Sequence, residues 1–223
     1  MTSDVVGSVP SGVHCYLSSL DARTRDMTVY QLKLTLKHVD PPIWRRILIH
    51  PEITLKRLHQ IIQKLMGWYD YHLYLFRAKG QIFSPPGEEI DLMARRPQSV
   101  NVPVSWLTSY NVKSFSYEYD FGDGWEINVR LEKVLEKPDF NQAAICIDGK
   151  RAGPLEDSGG PFGYMDKLET MKNPDHEDYA ELAEWMPPKY DAEKFDIESV
   201  NKTLAKLKPP RSLPTIRKAD IGP

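Results

Sequence analysis

The prevailing spacing of apolar residues shifts toward the end of this chain, and that shift restricts the fold more than any single motif. Up to about residue 131 most segments alternate apolar and polar residues, the signature of half-buried strands; the last third repeats at helical spacing. In TVYQLKLTLKHV, Leu32, Leu34 and Leu36 alternate with polar neighbours, and IWRRILIH resumes after Asp40, Pro41 and Pro42. The two runs predict an antiparallel pair joined by a proline-containing turn. HLYLFRA and QIF predict two short strands. Phe115, Tyr117 and Tyr119 precede FGDG, and Trp125, Ile127, Val129 and Leu131 follow it, which predicts a hairpin.

Helical spacing first appears between the strands. Thr54 is placed as an N-cap, Leu55, Leu58, Ile62 and Leu65 form a stripe, and Gly67 closes the helix. Three C-terminal helices are expected. Tyr164, Leu168 and Met171 mark the first, ending at Asn173-Pro174; Asp175 caps the second, with Tyr179, Leu182 and Met186; Asp196 caps the third, with Phe195 and Val200 as a hydrophobic staple. Residues 84–103 carry four prolines and read as a long connection.

The expected fold class is therefore α+β: a mainly antiparallel sheet with one helix packed across it, a β-grasp-like hairpin–helix–strand order in the first half, and three C-terminal helices. Leu58, Ile62, Trp44, Tyr117, Tyr119, Trp125 and Leu168 are the expected core. At 223 residues the chain suits one domain, assigned to 27–207. Residues 1–26 are expected to be a flexible leader, with Met27 a candidate start, and 208–223 a basic, proline-containing tail.

Charge narrows the partners. A formal net charge of −2 gives no global attraction to nucleic acid or anionic membrane. From Glu156 to Glu198 there are 13 acidic residues against 4 Lys/Arg, whereas Lys202 to Lys218 holds six basic residues and no acidic one. Nucleic-acid contact is expected to be weak at most, through the tail; a protein partner fits the acidic helices. Cys15 and Cys146 form no C-x-x-C pair, and no apolar run approaches the ~20 residues that cross a bilayer. No membrane association and a cytoplasmic location are expected, and no motif requires a cofactor.

PPIWRRILI, LHQIIQKLMGWYDYHLYLF, YEYDFGDGWEI, GPLEDSGGPFGY, NPDHEDYAELAEWM and FDIESVN occur in the order and spacing of the plasmid pRiA4b ORF-3-like family, which this chain resembles over about residues 28–205. The resemblance implies a fold family and a link to plasmids or mobile elements. Some members carry a transposon-resolvase label, so it also implies DNA processing as one reading. Where that family reads H-L-H-x-F, this chain has Tyr74 after His72-Leu73; where it reads W-x-H, this chain has Ile127 after Trp125-Glu126.

Two stretches combine carboxylates with glycine. Asp120, Asp123 and Glu126 surround the FGDG turn with Trp125, and Glu156 and Asp157 precede Gly159-Gly160. Oxygen-rich groups at such spacing suit a divalent cation or acid–base work. The preferred explanation is structural: Asp and Gly are what a tight turn demands, Asp120 and Glu126 share the solvent side, and Glu156 and Asp157 cap the helix near Phe162. His72, the lone histidine beside these segments, joins Asp120, Asp123, Trp125, Glu126, Glu156 and Asp157 as a candidate binding residue; without a His pair at ligand spacing no metal site is assigned. No complete catalytic constellation is visible. A non-enzymatic protein-interaction module is the leading reading, followed by a divalent-metal hydrolase built on Asp120, Asp123, Glu156 and Asp157, then by a resolvase-like protein. The two loops are expected to meet at one end of the sheet, because glycine permits close backbone approach.

Overall fold

The computed structural model describes residues 28–86, 97–137 and 140–209. The leader assigned to 1–26 and most of the basic tail lie outside them. Eight strands form one sheet: β1 Thr28–Leu36, β2 Trp44–Ile49, β3 Tyr74–Ala78, β4 Gln81–Ser84, β5 Gln98–Ser99, β6 Ser114–Tyr119, β7 Trp125–Glu136 and β8 Ala144–Lys150, in the order β5-β4-β3-β6-β7-β1-β2-β8. All neighbours pair antiparallel except β4 and β5. The helices are α1 Leu55–Met66, α2 Val104–Ser109, α3 Gly160–Thr170, α4 Tyr179–Trp185 and α5 Ile197–Leu204. The fold is α+β, as the change of period predicts.

α1 begins and ends as its sequence dictates. Its N-cap side chain, Thr54 Oγ1, accepts from Arg57 N at 3.2 Å. Gly67 closes the helix at φ +81°, in the left-handed region that glycine enters without strain. Leu55, Leu58, Ile61, Ile62 and Leu65 join Leu32, Leu34, Ile47, Phe76, Tyr117 and Ile127 in one core. The opposite sheet face is polar, carrying the pairs Lys37–Glu126, Arg46–Glu132 and Arg77–Glu118. In the sheet, the β6–β7 hairpin lies between β1 and β3.

Trp44 was expected in the core, but Arg45 is the residue buried at this point of β2. Trp44 is half-buried among the polar residues, with Lys33 Nζ 5.1 Å and the Arg46 guanidinium 5.2 Å from its ring centre. Arg45 is 1% exposed and donates to the carbonyls of Trp44, Leu65 and Lys150 at 2.9–3.1 Å, with Phe195 stacked on it at 3.9 Å. Burial lowers its pKa to about 10, still well above neutrality. Leu168 is likewise only half-buried; the other five expected core residues are buried.

Besides the two-residue β5, two elements escaped the sequence reading. α2 is too short to display a 3.6-residue period and stands on tertiary packing of Val104 and Leu107. β8 buries only Ala144 and Cys146 and carries Asp148 and Gly149, so its alternation is faint. Its edge is covered by α5, which blunts an otherwise open row of backbone groups. There the Asn201 amide both accepts from Cys146 N and donates to Cys146 O at 2.8 Å, imitating a strand. The cap of α4 also shifts: the helix starts after Asp178, and Asp175 lies in the turns before it. Asp196 caps α5 as expected, accepting from Ser199 N at 2.9 Å.

Glu132 ties the polar face together by accepting from Arg46 and Gln31, which lowers its pKa from 4.5 to about 2. A carboxyl whose folded pKa is depressed contributes stability above its unfolded pKa and loses it as the pH falls toward the folded value. Urea unfolding midpoints of the wild type should therefore drop more steeply than those of Glu132→Gln between about pH 4.5 and pH 2. Parallel pH profiles would contradict this assignment.

Candidate functional site

Three loops meet where β3 begins and β6 ends. The first, residues 67–73, leaves α1 and is held by a closed ring of hydrogen bonds. His59 Nε2 lies 2.7 Å from Asp70 Oδ1, His59 Nδ1 lies 2.7 Å from Tyr117 Oη, Gln63 Nε2 donates to Tyr117 Oη at 3.0 Å, and Asp70 N donates to Gln63 Oε1 at 3.0 Å. Burial lowers the His59 pKa, outweighing the Asp70 carboxylate. A carboxylate only accepts, so Nε2 carries the proton and Nδ1 accepts from Tyr117. The ring delivers His72 to the head of β3.

The second loop is FGDG. Asp120 leaves β6 at φ +53°, which ends the strand alternation and turns its carboxylate inward to 8% exposure, instead of toward solvent as its sequence position suggested. Its Oδ1 accepts from Gly122 N at 3.1 Å and from Asp123 N at 3.3 Å. That is the turn role expected of it. Its Oδ2 lies 3.5 Å from His72 Nε2. The third loop brings Asp157 Oδ1 to 3.4 Å from the same nitrogen. Glu156 and Asp157 do not cap α3, whose N-cap is Gly159 without a side-chain bond. Glu156 accepts from Tyr119 Oη at 2.5 Å and from Tyr69 N at 2.9 Å, while Tyr119 Oη accepts from Tyr71 N at 3.1 Å. Burial and the bond to Glu156 push the Tyr119 phenol up, so it stays a donor.

The loops are in direct contact. A Cβ on Gly160, which stands at φ +69°, would lie 2.1 Å from Asp123 O. One ligand atom from each of His72, Asp120 and Asp157 lies within 4.8 Å of the others. Asp123 Oδ2 is buried and accepts no hydrogen bond among the described residues. Of the remaining residues singled out from sequence, Trp125 is a core residue at 1% exposure, packed against Trp68 and Tyr164. Glu126 lies on the far sheet face with Lys37 at 2.5 Å.

The same segments carry the match to known proteins, since the model of the plasmid pRiA4b ORF-3-like proteins aligns with residues 28–199. The chain belongs to that family. The chain is 36% identical over 186 residues to the uncharacterized protein y4hQ of Sinorhizobium fredii, covering 81% of this chain and 92% of that protein. It is similar in structure to a Methanosarcina mazei protein of unknown function, MM3350, with TM-score 0.69 and 36% identity, over 77% of this chain and 97% of that one. For this pRiA4b ORF-3-like chain, Tyr74 stands where the family's second histidine is expected, and it stacks on His59 with ring centres 3.6 Å apart.

The sequence marks both carboxylate loops and His72 as binding candidates but not as one ligand group, because the link depends on a register: Tyr74 pairs with Tyr119, which sets His72 beside the turn that follows β6. Gly159-Gly160 was expected to permit the close approach of the loops, and Gly160 does so; Tyr119 as a keeper of the loop geometry was missed. Gly160→Ala should separate the FGDG and DSGG loops and cost about 1–3 kcal/mol, since it adds both a clash and an unfavourable φ. A wild-type melting temperature in that variant would mean that the contact does not restrain the loops.

Proposed function

We propose that this protein binds a divalent cation through His72, Asp120 and Asp157, and that the centre serves metal-assisted hydrolysis. The supporting observation is the ligand spacing. His72 Nε2 stands 3.5 and 3.4 Å from the two carboxylate oxygens. Ligands on a tetrahedral centre with bonds of about 2.1 Å lie about 3.4 Å apart. One imidazole and two carboxylates suit zinc or manganese better than calcium, which takes six to eight oxygens. Three protein ligands leave further positions for water and a substrate oxygen, the open arrangement of catalytic centres. Asp123 supplies a third carboxylate in the adjoining turn, and Tyr119 holds the Glu156 arm of the Asp157 loop in place. A resolvase-like role finds no comparable support. Ser158, the serine of this loop, is fully buried and donates to Leu155 O at 2.6 Å, whereas a nucleophile must reach its substrate.

The interaction-module reading rests on a different observation. Tyr69, Tyr71 and Phe121 are 70%, 76% and 44% exposed on these loops, and Phe162 is 74% exposed in the first turn of α3. Such a concentration of aromatic surface is typical of contact sites. It is compatible with a cation centre, whose substrate would then be a polypeptide.

Thermal melts with Zn²⁺, Mn²⁺ or Mg²⁺ and with EDTA test the cation. At a hundredfold excess over Kd, binding adds about 2.7 kcal/mol, or roughly 5–10 °C in Tm for a chain of this size. The shift should vanish in His72→Ala and Asp157→Asn, which lie on surface loops and should keep the fold. Identical melts with every metal and with EDTA, or a shift that both variants retain, would refute the centre.

A further inference from the structure

Beside Asp157 the surface opens into a cleft of about 310 Å³ between α3 and α4, lined by Asp157, Asp166, Lys167, Thr170, Asp178, Glu181, Leu182 and Trp185. Four carboxylates face one ammonium there. Trp185, at 41% exposure, supplies an aromatic wall. Near the rim, His176 Nδ1 lies 3.8 Å from Asp178 Oδ2.

Two further observations indicate what such a cleft accepts. Lys167 Nζ lies 5.7 Å from the Trp185 ring centre, so an alkylammonium already rests against this wall. Thr170 is 8% exposed, yet its hydroxyl makes no hydrogen bond among the described residues. That hydroxyl is therefore left to bond whatever occupies the cleft, water or a ligand N–H. An anion is excluded by the carboxylates, and a purely apolar ligand would strip them of water without replacing it. The volume stands at the lower end of small-ligand sites, which run about 300–1,000 Å³.

We infer that this cleft is a binding site for a primary alkylammonium, either a free polyamine or a lysine side chain of a polypeptide. The ammonium is held between Asp178, Glu181 and Asp166, its methylene chain lies along Trp185 and Leu182, and Thr170 accepts from an N–H at the floor. Lys167 acts as an internal competitor for the same wall. The site needs no metal, so it stands or falls separately from the His72 centre even though Asp157 borders both.

The test is a titration of the full chain, in EDTA and low salt, with spermidine and separately with a blocked tri-lysine peptide, followed by the Trp185 indole N–H resonance. Spermidine or the peptide should shift that resonance. Asp178→Asn combined with Glu181→Gln should weaken the binding about tenfold or more, as the loss of two nearby charges implies. Lys167→Met should strengthen it, which a merely structural Lys167 would not do. Spermidine alone binding would assign a free polyamine, and the peptide binding at least as well would assign a polypeptide. No shift with either probe at millimolar concentration, affinity unchanged in the double variant, or weaker binding in Lys167→Met would overturn the inference.

Discussion

The buried guanidinium of Arg45 is the constraint on which the arrangement of this molecule rests. A cation removed from water needs its donors satisfied, and Arg45 meets that need with carbonyls from β2, from the last turn of α1 and from the end of β8. The α1 carbonyl lies at the negative end of a helix dipole, which adds to the attraction. Phe195 closes over the group, and a Cβ on Gly149 would strike Phe195 at 2.5 Å, so glycine is required at that point. One side chain thus joins the central sheet, its edge strand, the crossing helix and the approach to α5.

The loops inherit their positions from that junction. A Cβ on Gly153 would fall 1.9 Å from Met66 O, and Trp68 Nε1 donates to Pro154 O at 3.0 Å, so the segment after β8 is pressed against the C-terminus of α1. Two residues later Glu156 binds Tyr119 and the Tyr69 amide, and Asp157 reaches His72. The pieces most remote in sequence, His72, Asp120 and Asp157, are therefore set by contacts that are themselves well packed. Such support from neighbouring groups is what a ligand-binding constellation needs.

Most of the architecture was legible because periodicity reports burial. The alternation at Leu32, Leu34 and Leu36 and the stripe Leu58, Ile62 and Leu65 each mark a face that the fold buries. Turn chemistry was legible too: Thr54, Gly67 and Asp196 do at the helix ends what their chemistry favours. What failed was local logic applied where a tertiary demand overrides it. Trp44 reads as the buried residue of β2 until the carbonyls that draw Arg45 inward are known, and Asp120 reads as solvent-facing until its positive φ is seen. α2 and β8 carry too few apolar residues to announce themselves. The site was half legible. Both carboxylate loops stood out by composition and were expected to meet; that the candidate His72 stands between them was not legible, because strand pairing is a long-range property.

The central claim is that three loops converge to hold one cation on His72, Asp120 and Asp157. Anomalous diffraction from crystals soaked in Mn²⁺ or Zn²⁺ addresses it most directly, because it locates the ion rather than its effect. The account predicts one anomalous peak within about 2.0–2.3 Å of His72 Nε2, Asp120 Oδ2 and Asp157 Oδ1. Full anomalous signal elsewhere on the molecule, with none between these three atoms, would contradict it.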